Sequence, residues 1–122
     1  MATKRTPSKA RTVDVKLNGV TVKLNYARHS SFAKLAQITA RFLNVDKAPY
    51  TDTEFLNDFQ EAMHLYLDEK TYERIFTPEK ADDIYENMDM YMDVYGALKT
   101  ARETEAEAFG NKFASLFNPD MD

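Results

Sequence analysis

The residues whose types and spacing best suit chemistry are Glu61 and His64, a carboxylate and an imidazole three positions apart. Di-iron helix bundles use this spacing, but they need two such pairs and two further inward-facing glutamates. The other histidine, His29, has no acidic residue three positions before it, and the chain contains no cysteine. Thiolate ligands and thiol nucleophiles are therefore excluded. We expect both histidines to be surface or edge residues and no metal or other cofactor to be bound.

A row of carboxylates is the second candidate for chemistry. Spacings of 4, 3 and 4 align four of them on one face of a helix: Asp82, Glu86, Asp89 and Asp93. A calcium loop of the EF-hand type is absent, and so are a glycine-rich phosphate loop and a nucleophile elbow. Like charges four positions apart repel each other, and a cationic partner would relieve that repulsion. We interpret the row as a solvated or partner-binding acidic face and expect no enzyme.

Charge is divided unequally along the 122 residues. Up to Tyr50 the sequence has ten Lys/Arg and two Asp/Glu, and after Tyr50 it has six and eighteen, giving formal charges of +8 and -12. Such a chain can fold its halves together, pack head to tail with copies of itself, or bind a partner of either sign. The length fits one domain, and no run is long and apolar enough to span a membrane. We expect a cytoplasmic protein.

The strongest local pattern predicts a β-hairpin over residues 13–24. Three apolar residues alternate with polar ones on each side of Asn18-Gly19, a pair that suits the positive φ angles of a type I′ turn. The two-residue loop places all six apolar side chains on one face. Because an isolated hairpin is marginally stable in water, the helices that follow should cover this face.

Helical periodicity continues through the rest of the chain. We predict a first helix over about 31–44 with Ser30 or Ser31 as N-cap, and a second that opens at Thr51 with Glu54 three positions later. A short helical turn is expected at 70–76. Thr77-Pro78 then begins a third long helix over about 78–105, with an inward seam formed by Ile84, Met88, Tyr91, Tyr95 and Leu98. The predicted fold is mainly α, with the N-terminal hairpin packed on a small bundle of three to four helices.

The pattern divides the chain into three parts. Residues 1–12 are predicted to be a disordered basic arm, which either acts as a solubilising tail or contacts nucleic acid or an acidic partner through Lys4, Arg5, Lys9 and Arg11. Residues 13–105 form the hairpin and helical domain. Residues 106–122 are a C-terminal amphipathic segment and tail, which Gly110 interrupts and Pro119 ends.

Two apolar groups are candidates for binding another protein. Phe109, Phe113 and Phe117 share one face of the C-terminal segment. Met88, Met92 and Tyr95 belong to a flexible Met/Tyr-rich stretch, where one face should pack inward and another should face a second molecule. We expect these six residues to contact a second copy or an apolar helical client.

The order of these elements resembles the tail assembly chaperones of long-tailed bacteriophages. The resemblance rests on the basic hairpin from Val13 to Leu24, the helix from Phe32 to Leu43, and an acidic helical second half that includes Val94-Tyr95-Gly96. It implies a non-enzymatic protein of the host cytoplasm that self-associates and coats the apolar, helical tape measure protein before the tail tube polymerises. Members of this family often also occur as a longer, frameshifted form.

Two other functions remain open from the sequence. A structural virion component, such as a connector or tail protein, would use the same assembly surfaces. A nucleic-acid-binding regulator would use the basic arm and the hairpin lysines, although the -12 remainder opposes approach to DNA and no recognition helix is evident.

Overall fold

The computed structural model describes residues 10–44 and 49–117. These residues form an antiparallel hairpin followed by five helices, which confirms the mainly helical fold with an N-terminal hairpin. The elements are β1 (Thr12–Leu17), β2 (Val20–Asn25), α1 (His29–Leu43), α2 (Asp52–Tyr66), α3 (Glu69–Ile75), α4 (Pro78–Ala81) and α5 (Ile84–Phe117). Most of the predicted arm, including Lys4, Arg5 and Lys9, lies outside the described residues, as does Pro119.

The hairpin has the predicted turn and register. Leu17 pairs with Val20 across the turn, and Asn18 and Gly19 have φ angles of 47° and 77°. Both residues are therefore in the left-handed region that a type I′ turn requires. The apolar side chains share the inward face, where four are buried and two are half-buried: Val15, Leu17, Val22 and Leu24, then Val13 and Val20.

The core lies between this face and helices α1, α2 and α5, with β1 packed along α5. At its centre Phe55 and Phe59 stack with ring centroids 5.8 Å apart, and the Tyr91 ring meets both edge-on. Edge-to-face aromatic pairs add to the gain from apolar burial. Val94 and Leu98 of α5 are fully buried between the hairpin and the helices.

Three predicted helix starts are supported by side-chain caps. The Thr51 hydroxyl accepts a hydrogen bond from the Glu54 amide, and Thr77 caps α4 with Pro78 in the first turn. α3 is the separate short helix expected near 70–76, capped by Asp68. The N-cap predicted for α1 is wrong by two or three residues, because the helix begins at His29 with Arg28 as N-cap and Ser31 is buried inside it.

The prediction of one helix from 78 to 105 is wrong at its N-terminal end. α4 ends at Ala81, and Asp83 starts α5 by accepting hydrogen bonds from the Tyr85 and Glu86 amides. The fully buried Asn87 amide donates to the carbonyls of Lys80 and Asp83. A side chain that satisfies the last carbonyls of one helix and an aspartate that caps the next make the break stable.

The same prediction is wrong at its C-terminal end, since α5 continues to Phe117. It passes Gly96 and Gly110 without interruption, because a helical glycine costs only about 1 kcal/mol relative to alanine and the turns on either side of Gly110 contain strong helix formers such as Ala108 and Lys112. The boundary expected after Glu105 is therefore not a break in the helix. It is a change in burial, since every residue from 106 to 117 is exposed.

The opposite charges of the two halves meet within one molecule. Among the described residues, three ion pairs join a base before Tyr50 to an acid after it: Arg11–Glu105 at 2.9 Å, Lys34–Glu61 at 2.8 Å and Arg41–Glu54 at 3.1 Å. Lys34 lowers the pKa of Glu61, and the Thr51 hydroxyl together with Arg41 lowers that of Glu54. The Lys34 and Arg41 pairs are exposed and contribute little stability each, whereas the Arg11 pair is half-buried. Folding of the basic half onto the acidic half thus accounts for part of the charge division.

Candidate interaction surface

One face of α5 runs through two different environments. We call residues 84–98 the core stretch and residues 106–117 the terminal stretch. The core stretch presents Tyr91, Val94 and Leu98 to the interior. Its spacing continues beyond Leu98 through Arg102 and Glu105 into the terminal stretch, so that one apolar face extends beyond the domain that covers its first part.

The terminal stretch carries four large apolar side chains on that face. Phe109, Phe113 and Phe117 are 55%, 61% and 69% exposed, and Leu116 is 77% exposed. Positions three and four apart lie on the same side of a helix, and the rings of Phe113 and Phe117 are 4.8 Å apart. The three phenylalanines predicted to share one face do so in the structure, and Leu116 lies on the same face. Their role in binding stays a prediction.

A polar network fastens α5 to the domain just before the terminal stretch. Glu105 Oε1 accepts hydrogen bonds from Arg11 Nε at 2.9 Å and from the Tyr26 hydroxyl at 2.8 Å. Arg102 Nη1 donates to the Tyr26 carbonyl at 2.7 Å, and its guanidinium lies 4.4 Å from the centre of the Phe32 ring. The bond to Glu105 raises the pKa of the Tyr26 phenol. This network ties both ends of the hairpin and the start of α1 to one turn of α5.

Arg11 therefore has a different place from the one predicted for it. The sequence assigned it to a disordered arm, whereas its guanidinium pairs with Glu105 and its carbonyl accepts a hydrogen bond from the Tyr26 amide. Thr12, also assigned to the arm, is the first residue of β1. The arm boundary expected after residue 12 is thus wrong by at least two residues.

A groove of about 570 Å³ lies beside this network. Phe32, Tyr95, Ala106 and Phe109 give it apolar walls, and Lys99 and Arg102 add cationic groups. Since Ala106 and Phe109 belong to the terminal stretch, the groove opens onto the exposed apolar face. The two together form a continuous surface along one side of α5, which we call the α5 surface.

The Met/Tyr-rich residues divide between the interior and the exterior. Met88 and Tyr95 are half-buried against the core, and the Tyr95 ring stacks on Phe32 at 5.6 Å. Met92 is 60% exposed on the other side of α5, together with Tyr85 at 76%. Of the three residues predicted to meet a partner, Met92 projects outward, Tyr95 lines the groove and Met88 packs within the domain.

The acidic residues do not form one row on one helix. Asp82 lies in the turn before α5, while the other three occupy its first turns. Glu86 pairs with Lys80 at 3.0 Å, and the pair raises the pKa of Lys80. No base among the described residues pairs with Asp82, Asp89 or Asp93, which are all exposed.

The two residues that first suggested chemistry have other partners. Glu61 binds Lys34, and the exposed His64 ring stacks on Tyr72 with centroids 3.6 Å apart. Within the described ranges, no group of three or more His, Cys, Asp or Glu side chains could hold a metal ion.

Burial raises the pKa of Tyr66 to about 12, and its hydroxyl is buried without a hydrogen-bond partner among the described residues.

Sequence reasoning missed the groove, because Tyr26, Phe32 and Arg102 come from three elements that no local pattern connects. One signal was available. Arg102 and Glu105 are charged residues on the apolar face of α5, between Leu98 and Phe109. Charged residues on an otherwise apolar helix face indicate where the rest of the domain stops burying that face.

Comparisons with protein-family models, curated proteins and solved structures found no match to this chain. None of the helices in the described parts of the chain has the length and apolar character needed to cross a membrane.

Proposed function

We propose that this chain is a non-enzymatic assembly protein that binds an apolar helical partner along the α5 surface. The supporting observation is the row of exposed phenylalanines at the end of a helix whose first half is built into the core. In the most specific form of the proposal, the chain is a tail assembly chaperone in the cytoplasm of an infected cell, and its client is the tape measure protein.

Exposure of the terminal stretch is a cost that a partner would remove. Burying one such side chain yields roughly 1.5–3 kcal/mol. Contiguous apolar patches of this kind commonly mark interaction sites. Anchors at positions 109, 113, 116 and 117 follow the spacing with which an amphipathic helix binds a groove or another helix.

The surroundings of the face suit a protein that shields an apolar rod. On the opposite side of the terminal stretch, Glu107 and Asn111 are exposed and keep the outer surface polar. The exposed carboxylates of Asp89 and Asp93 extend this polar surface along α5. A client helix would therefore meet an apolar side while water meets a polar one.

The ion pairs give less support to a nucleic-acid-binding function. Arg11, Lys34 and Arg41 are engaged by acids of the second half and present less net positive charge to a phosphate backbone.

A structural virion component would use the same α5 surface. Mass spectrometry of purified particles separates the two, because a chaperone is absent from the finished particle.

The proposal predicts that a neighbouring reading frame encodes a long helical protein, and the test is co-expression of this chain with that protein. The client should be insoluble alone and soluble with the wild-type chain. Phe113→Glu places a charge in the apolar face and should abolish solubilisation. Ala108→Glu changes an exposed residue on the other side of α5 and should retain it. Equal solubilisation by both variants, or by neither, would contradict the proposed site.

A further inference from the structure

We infer that the α5 surface is occupied, before any client binds, by the same surface of a second copy packed antiparallel to it. The inference rests on the proposed function in one respect, that this surface is used for binding. It adds that a second copy occupies the surface when no client is bound. A two-fold axis between Phe109 and Gly110 relates the two helices.

The spacing of large and small residues supports this register. An axis between positions 109 and 110 places Phe109 opposite Gly110 of the second copy. The same axis places Phe113 opposite Ala106, and Phe117 opposite Arg102, because each pair is symmetric about that point. Each phenylalanine thus meets a small residue or the flat guanidinium group of Arg102. Because the axis is two-fold, each of these contacts occurs twice in the dimer.

The space around Gly110 fits this arrangement. A Cβ atom built on Gly110 meets nothing within 4 Å, so no neighbour among the described residues of its own chain requires a glycine there. Glycine weakens a helix interior relative to alanine. A glycine at this position leaves room for the Phe109 ring of the second copy to approach the helix backbone.

Charge complementarity favours the antiparallel direction. The last turn of α5 has no basic residue, and its terminal carbonyls carry the negative end of the helix dipole. The sequence that follows Phe117 adds two aspartates and no base. In the inferred register the end of one α5 lies beside Lys99 and Arg102 of the other copy. Within the described residues Lys99 reaches only Glu103, at 3.9 Å.

The area involved predicts a weak and reversible dimer. Four side chains of this size, 55–77% exposed, offer about 400–500 Å² of surface per copy. Two copies therefore bury about 800–1,000 Å² in total, which is below the range of stable specific interfaces, whose lower end is about 1,200 Å². Such a pair would protect the phenylalanines and yield to a client that covers more surface.

Cysteine cross-linking tests the register, since the natural chain has no cysteine of its own. Gly110→Cys lies beside the axis and should form a covalent dimer under mild oxidation. Ala106→Cys is separated from its twin by about 10 Å along the helices, at 1.5 Å rise per residue, and should not. Ala108→Cys, on the other side of α5, is the matched control and should stay monomeric.

The outcomes separate this inference from the proposed function. Cross-linking of Ala106→Cys would overturn the inference, because together with Gly110→Cys it would show parallel pairing and alone it would show an axis displaced towards Ala106. Sedimentation of the wild-type chain as a monomer at high micromolar concentration would also overturn it, and continued client solubilisation would then leave the proposed function intact. A Gly110→Cys dimer from a chain that fails to solubilise the client would support the inference and contradict the proposed function.

Discussion

The core stretch and the terminal stretch of α5 have the same apolar spacing and opposite exposure. Val94 and Leu98 are fully buried, whereas Phe113 and Phe117 are 61% and 69% exposed. The difference arises outside the helix. The hairpin ends near Arg11 and Tyr26, and α1 begins at His29, so the elements that cover α5 end where its face continues. Periodicity therefore specifies which side of a helix is apolar, and the neighbouring elements decide how much of that side is core.

The largest expected effect comes from truncating equivalent side chains in the two stretches. Leu98→Ala leaves a cavity in a packed interior and should lower the free energy of unfolding by about 2–5 kcal/mol. Phe113→Ala removes a larger side chain from an exposed position and should change it by less than about 0.5 kcal/mol. Denaturant unfolding at a concentration where the chain is monomeric measures both. Equal losses of stability would show that the terminal stretch is part of the core.

The second prediction concerns the cover of the core stretch. Gly19 has a φ angle of 77°, which a β-branched residue adopts only with strain. Gly19→Val should therefore destabilise the fold by about 1–3 kcal/mol through a distorted turn. Thr21→Val, on the exposed face of the hairpin, is the control and should unfold at the wild-type denaturant concentration. A Gly19→Val midpoint equal to wild type would contradict the type I′ turn.

Local patterns predicted most of the fold. The hairpin, its turn and the caps at Thr51 and Thr77 depend on neighbouring residues, and all are present in the structure. The break between α4 and α5 was missed because it depends on Asn87, whose amide satisfies carbonyls from four to seven positions away. The continuation past Gly110 was missed because the helix-breaking effect of glycine was considered without the helix-forming residues in the turns on either side of it.

The candidate site was predicted only in part. Phe109, Phe113 and Phe117 follow from the spacing of one helix, and the structure exposes all three. The groove needs contacts between residues up to 94 positions apart, such as Arg11 and Glu105. No sequence pattern of short range contains that pairing. The charge division left three interpretations open, and the ion pairs between the halves support folding of the two halves together for part of it.

The third prediction addresses the junction between the two stretches. Arg102→Met keeps most of the side-chain length but removes the hydrogen bond to the Tyr26 carbonyl and the charge above Phe32. A part-buried hydrogen bond contributes about 0.5–1.5 kcal/mol and a solvent-accessible cation–π contact about 0.5–1 kcal/mol, so we expect stability to fall by about 1–2.5 kcal/mol. Lys99→Met, about one turn earlier and exposed, should be within about 0.5 kcal/mol of wild type. Identical stabilities of the two variants would mean that Arg102 does not hold α5 to the hairpin.

The smallest expected effect on stability comes from removing most of the terminal stretch. A chain truncated after Ala108 keeps Arg102 and Glu105 with their partners but lacks all four exposed apolar side chains. Within the domain, the truncation removes the Phe109 ring from beside the Arg11 guanidinium, an interaction that is weak at 6.0 Å and at an exposed site. We expect the free energy of unfolding to stay within about 0.5 kcal/mol of wild type. Self-association in sedimentation experiments should disappear. A truncated chain that unfolds at ordinary temperature would place the phenylalanines in the domain's own core, and one that still dimerises would move the interface away from α5.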